Sequence, residues 1–176
     1  TIKMHIFLIF RKDSLAVNYT RMKAKHGHEM FDFMPRSYIV PQDKDELVEA
    51  MTLSSKPMII KPPNWFCGIG IKLINKIEDI PCKNNKMVVQ EYIDDPFLIN
   101  DTKFDLRLYV LMTGVDPMKI YMYDEGLVRF ATAPYTNDPE QISNNFIHLT
   151  NYSVNKGNTD KFVHNENPGS YEGHKW

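Results

Sequence analysis

The stretch "KFDLRLYVLMTG" (103–114) constrains the fold more than any other part of the chain. Its apolar and polar residues alternate strictly. Phe104, Leu106, Leu108 and Val110 fall on one face, and Lys103, Asp105, Arg107 and Tyr109 on the other. A half-buried β-strand sorts side chains this way, whereas a helix would scatter them. The following "KIYMYDEGLVRFA" (119–131) predicts a hairpin turning at Asp124–Glu125–Gly126. "PMIIK", "GIKLI" (70–74) and "KMVVQEYI" (86–93) predict further strands. Leu15, Tyr19 and Met22 have helical spacing within 11–27, with Gly27 as a stop. "DKDELVEAM" (43–51) predicts a second helix, acidic in its first turn. The prolines of "FDFMPRSYIVP" (31–41) impose an extended chain, and "IEDIP" predicts a short helix or turn. The sum is an α+β layout, an antiparallel sheet with a few helices.

A length of 176 residues suits one substantial core. The chain is 43% hydrophobic and 24% charged, as globular proteins are. A net charge of −1 gives no global field for nucleic acid or an anionic membrane, so any basic site is local. Cys67 and Cys82 fit neither a metal spacing nor a disulfide framework, which predicts free thiols in a reducing compartment. "TIKMHIFLIF" (1–10) is too short to span a membrane and lacks a small-residue cleavage site. It reads as a buried strand or a stray translated segment. Beyond Pro134 the chain turns polar and Asn-rich, apart from "FIHLTNYSV" (146–154).

Lys103, Asp105 and Arg107 share one strand face. Period alone reads this as a solvated sheet face. The hairpin adds Arg129 in the apolar setting "GLVRFA". Half-buried charges need partners, and three cations near one carboxylate leave positive charge for an anion. In "HLTN" (148–151), Thr150 and Asn151 offer a hydroxyl and an amide to anionic oxygens, or else form a turn or helix cap. His148 reads as a packed, hydrogen-bonded histidine. "VVQEYI" can read an adenine edge through its backbone, or be an edge strand. "IIKPPNWFCGIGI" (59–71) delivers Lys61 from a strand into a loop closed by Gly68 and Gly70.

Taken together, "KPP…GIGI", "VVQEYIDDPFLI", "KFDLRLYVLMTGVDPMKIYMYDEGLVRFATAPY" and "FIHLTNYSVNK" resemble the tubulin–tyrosine ligase-like enzymes in order and spacing. The resemblance is closest to the tubulin polyglutamylase branch. It runs from "RKDSLAVNYTRM" to "GHKW", covering 11–176 as a partial domain and leaving 1–10 unmatched. It implies an ATP-grasp-like fold and an ATP-dependent ligase. Such an enzyme activates a carboxylate on a tubulin tail as an acyl phosphate, which the amine of free glutamate attacks. It also implies a cytoplasmic protein on the microtubule cytoskeleton, cilia and basal bodies included. Nucleic acid and membrane are not among the implied partners.

By the same resemblance, Lys12 and Lys61 reach the nucleotide phosphates. Gly68 and Gly70 belong to the loop over them, where missing side chains let N–H groups approach. Gln90, Glu91, Tyr92 and Ile93 form the adenine hinge. Lys103 and Asp105 belong to the nucleotide site, and Arg107 and Arg129 meet the acidic substrate. Thr150 and Asn151 flank ATP, with Tyr152 and Ser153 beside the amino-acid pocket.

The sequence departs from the family pattern in two places. The family loop carries small residues and then an arginine before its first glycine, whereas this chain has Asn64, Trp65, Phe66 and Cys67. A thiol cannot clamp phosphate as a guanidinium does, which predicts weakened ATP binding. The Asp and Glu-x-Asn that hold magnesium in the family are expected beyond Trp176, so the chain reads as an incomplete catalytic domain with no metal ligands of its own. The alternatives are a pseudoenzyme that binds nucleotide or acidic tails, and an ATP-grasp ligase that transfers glycine or acts on non-tubulin acidic proteins.

Overall fold

A computed structural model describes residues 11–80 and 85–164. Segment 1–10, Cys82 and the terminal "GHKW" lie outside the described residues. The chain divides into two compact units, Thr1–Asp95 with Asn137–Ser143, and Pro96–Thr136 with Asn144–Trp176.

The first unit is built from α1 (Lys12–His26), β1 (Ser37–Val40), α2 (Lys44–Leu53), β2 (Met58–Lys61), β3 (Lys72–Ile74), a 3₁₀ turn (Ile77–Asp79) and β4 (Met87–Glu91). Its sheet is antiparallel, in the order β1-β4-β2-β3. α1 ends where Gly27 takes a φ of 89°, the stop expected of it. Its buried face is Asp13, Ala16 and Tyr19, not the Leu15–Tyr19–Met22 stripe, because Leu15 and Met22 are exposed. Asp13 can be buried because Arg11 grips both its oxygens, at 3.1 and 2.9 Å. Tyr19 turns the chain after α1 by donating to Phe31 O at 2.7 Å and accepting from Met34 N at 3.2 Å.

Tyr38, Ile39 and Val40 are all buried, so both faces of β1 are covered. Tyr38 and Val40 pack with Leu47, Met58, Ile60 and Val89 in the main core, whereas Ile39 packs with Ala16 and Val88 beside α1. Register settles which residues share a face. Ser37 and Ile59 lie opposite Gln90, and Lys61 opposite Val88. Ser37, Ile39, Val88, Gln90, Ile59 and Lys61 therefore all face α1.

The second unit holds β5 (Leu98–Ile99), β6 (Thr102–Arg107), β7 (Val110–Val115), β8 (Met118–Met122), β9 (Leu127–Phe130), α3 (Asn145–His148) and α4 (Tyr152–Asn155). β5 turns into β6 through Asn100 and Asp101, both at positive φ as a tight hairpin requires. The predicted single strand over 103–114 is two strands. The first ends at Arg107, Leu108 and Tyr109 lie between, and β7 begins at Val110. The predicted turn at 124–126 is also displaced, for β8 pairs with β7 and the chain reverses at Asp116–Pro117. β9 then returns to β6, with Asp105 opposite Arg129. Arg107 pairs with Leu127 and Val110 with Met122, so two residues (108–109) face four (123–126). Gly126 makes this crossing possible, because a Cβ there would lie 2.9 Å from Arg107 O. Leu106, Leu108 and Val110, expected to be half-buried, are 60%, 55% and 62% exposed. Of these, Val110 lies in the two-stranded β7–β8 ribbon, which has no second layer among the described residues to cover its apolar side chains.

Leu47 is fully enclosed in the main core. Leu47→Ala is expected to lower unfolding free energy by about 2–5 kcal/mol, measured by urea titration.

Candidate functional site

In the first unit, the α1 face of the sheet opens into a cavity of ≈ 340 Å³ lined by Lys12, Met34, Ser37, Lys61, Val88 and Gln90 among others. Among the described residues, two lysines line it and no carboxylate does. Lys61 Nζ donates to Gln90 Oε1 at 2.5 Å. Gln90 is oriented for this by its own donors, since Nε2 reaches Ser37 Oγ at 2.8 Å and Pro35 O at 3.3 Å. Burial, and then the nearby charge of Lys12, push the Lys61 ammonium below its ordinary pKa. An amide oxygen solvates that charge without neutralising it. Larger cavities exist in the same unit. One of ≈ 550 Å³ borders the 62–70 loop, but Arg11 there is already paired with Asp13. Another, of ≈ 620 Å³, includes the Arg36–Glu46 pair. The smaller cavity concentrates the unbalanced cations.

The loop after Lys61 is held by Lys12, whose Nζ donates to Trp65 O at 2.5 Å. Gly68 and Gly70 have φ of 79° and 69°, which favours glycine at both. Gly70 is needed twice over, since a Cβ there would meet Pro62 Cγ at 2.8 Å and the Trp65 ring at 3.3 Å. Cys67, at the arginine position of the family pattern, is exposed and also left-handed, with φ of 59°. The large loop side chains do not fill the lysine cavity. Trp65 lies over Gly70, and Phe66 is exposed.

The hinge segment differs from the edge-strand reading. β4 is an inner strand, paired with β1 and β2. The N–H groups of Glu91 and Tyr92 are donated to Arg36 O and Pro57 O, at 2.9 and 3.0 Å. Tyr92 is buried, and Ile93 emerges into solvent.

In the second unit, Lys103, Asp105 and Arg107 alternate along β6, and cross-strand register puts Arg129 on the same face. Arg129 Nε donates to Asp105 Oδ1 at 2.7 Å, and Nη2 donates to Oδ2. This bidentate pair raises the Arg129 pKa and commits two of its three nitrogens. Arg107 is exposed. Thr150 is buried, Asn151 stands at the N-cap position of α4 without a side-chain capping bond, and Tyr152 and Ser153 lie in α4. His148 is buried, edge-on to Tyr135 at 5.8 Å. Sequence reasoning missed Ser37, Thr132 and Asn155. Ser37 could have been found from the alternation of "SYIV", which puts it on the Ile39 face.

Residues 4–176 match the tubulin-tyrosine ligase family. The chain is 46% identical over 171 residues to tubulin monoglutamylase TTLL4 of Mus musculus, covering 97% of this chain and 14% of that protein. It is 42% identical over 167 residues to tubulin polyglutamylase TTLL5 of Homo sapiens, covering 94% and 13%. It is 44% identical over 151 residues to tubulin polyglutamylase ttll-4 of Caenorhabditis elegans, covering 85% and 25%. The chain belongs to the tubulin-tyrosine ligase family and spans at most a quarter of the length of these relatives.

The depressed Lys61 pKa has a signed consequence. Between the folded Lys61 pKa and the ordinary value of 10.5, the unfolded chain binds more protons than the folded one, so stability rises with pH in that window. Lys61→Met removes this slope. Unfolding titrations across the window should show the wild-type deficit shrinking as pH rises, and parallel curves would reject a desolvated charge at Lys61.

Proposed function

We propose that this chain is part of an ATP-grasp-like catalytic domain that joins glutamate to glutamate side chains of tubulin tails. The observation that carries this reading is the pair Lys12 and Lys61 on one cavity whose described lining includes no carboxylate. A desolvated ammonium held by a neutral amide favours a polyanion, which offsets the solvation the charge has lost. That donor set fits the phosphates of ATP. ATP supplies the phosphoryl group that activates the acceptor carboxylate towards an amine.

The chain's own residues hold and orient. Lys12 and Lys61 offset phosphate charge, and the N–H groups around Gly68 and Gly70 line the loop above. Gln90 to Ile93 form the adenine hinge. The Glu91 and Tyr92 N–H groups are already committed to Arg36 O and Pro57 O. Lys103 and Asp105 belong to the nucleotide site, with Asp105 also setting the Arg129 guanidinium. Arg107 and Arg129 receive the acidic acceptor or free glutamate. Thr150 and Asn151 flank ATP, and Tyr152 and Ser153 line the amino-acid pocket. Among the described residues no group of three His, Cys, Asp or Glu could hold a metal ion, so no step is derived through magnesium. Tubulin is the proposed partner, supported by relatives that are tubulin glutamylases, and a place on the cytoplasmic microtubule cytoskeleton, cilia and basal bodies included, is proposed with it. No helix among the described residues is long and apolar enough to cross a membrane.

In the full-length protein, Lys61→Ala and Arg107→Ala are each expected to abolish glutamate incorporation into tubulin, followed with labelled glutamate. Retained activity in either removes that residue from the assignment. A nucleotide-binding module without ligation is the second reading, favoured by Cys67 at the arginine position. Restoring small residues at 64–66 together with Cys67→Arg should tighten ATP binding by calorimetry, and unchanged affinity would show that the loop chemistry is not limiting.

A further inference from the structure

Asn155 closes the four-residue helix α4, where an asparagine has no intrinsic advantage. It is 1% exposed, and a buried amide is costly unless its hydrogen-bonding capacity is met. Here that capacity is filled. Nδ2 donates to Leu149 O at 2.7 Å and Asn151 O at 3.1 Å. Oδ1 accepts from the backbone N and the Oγ1 of Thr132, both at 2.9 Å. The Thr132 hydroxyl in turn accepts from Asn158 Nδ2 at 2.9 Å. Thr132 is buried just beyond β9, three positions after Arg129, and the preceding Ala131 N donates to Lys103 O at 2.8 Å.

One side chain thus joins the sheet that carries Lys103, Asp105 and Arg129 to the segment that carries Thr150, Asn151, Tyr152 and Ser153. An apolar residue of similar volume would supply packing without the four directed bonds. Thr132 N would keep Phe146 O at 3.1 Å and Asn151 O would keep the Val154 and Asn155 N–H groups, but the Thr132 hydroxyl and Leu149 O would lose the amide. The amide therefore contributes geometry more than burial.

We infer that Asn155, acting through Thr132, is a positioning residue that sets the 149–153 segment against the arginine-bearing sheet for catalysis. The inference rests on the ligase reading above. Thr132→Val deletes one hydroxyl at constant shape, Thr132→Ser keeps it, and Asn155→Leu deletes the whole amide network.

In the full-length protein, Thr132→Val and Asn155→Leu should lower kcat for glutamate incorporation by about 10- to 100-fold while KM for ATP stays within about threefold, the signature of misplaced groups. Thr132→Ser should restore most of the loss. An unchanged kcat in folded Thr132→Val overturns the inference. So does a loss that only follows the fraction unfolded. If Thr132→Val does not fold, Asn158→Ala removes just the donor to the Thr132 hydroxyl and is read the same way, with a smaller effect. If folded wild-type protein yields no ligation product, the ligase reading fails separately. Positioning is then read from amide exchange. Faster exchange at 151–156 in Thr132→Val, with 104–107 and 127–130 unchanged, supports it, and a uniform change overturns it.

Discussion

The first unit is arranged around one half-buried ammonium. Lys61 leaves the end of β2 facing α1 and has Gln90 Oε1 as its near partner. The contact exists only if Gln90 is locked, and its lock is Ser37 on β1 with the Pro35 carbonyl before it. β4 must therefore lie between β1 and β2, which is the sheet order observed. α1 then has to present Lys12 over the same face while burying Ala16 against Ile39 and Val88. Sheet order, register and helix placement all bear on a charge that is expensive to bury. The same desolvation that makes this charge costly would strengthen its attraction for the anion proposed above.

The two units show different site chemistries. The cavity of the first holds cations without counter-ions. The sheet of the second has already spent its best-placed carboxylate, since Asp105 is bound to Arg129 on both oxygens. That pairing fixes the guanidinium plane and lowers its conformational freedom, which matters for recognition by a flat carboxylate. An arginine committed on one side and open on the other orients a ligand more narrowly than a mobile lysine would.

Much of the fold was legible because its signals are local. The Gly27 stop, the acidic first turn of α2 and the strand ending at Lys61 all follow from periodicity and punctuation, and the strand expected over 86–93 is present but stops at Glu91. What failed was non-local. "YDEGL" has the composition of a hairpin turn, yet the reversal occurs at Asp116–Pro117 and Asp124–Gly126 is a widening in the returning arm. Only pairing partners reveal that. The alternation in "FDLRLYV" was real, but it could not tell that a single layer would leave Leu106 and Leu108 in solvent. Among the site residues, those with charge or glycine stood out in the sequence. Ser37, Thr132 and Asn155 did not, because neutral polar residues take their meaning from what they bond. The spacing of Asn151 and Asn155, four apart, was a weak cue that only a helix makes useful.

The β7–β8 ribbon has a practical consequence for handling the chain. Val110, Leu111, Ile120, Tyr121, Met122 and Tyr123 are all exposed on two strands with no covering layer. Edge amides and adhesive side chains on one ribbon are what adjacent copies need to zip together. Colloidal behaviour of these 176 residues should then be governed by this ribbon rather than by the net charge of −1, which offers little repulsion. Dilution, ionic strength and time on the bench become experimental variables in their own right.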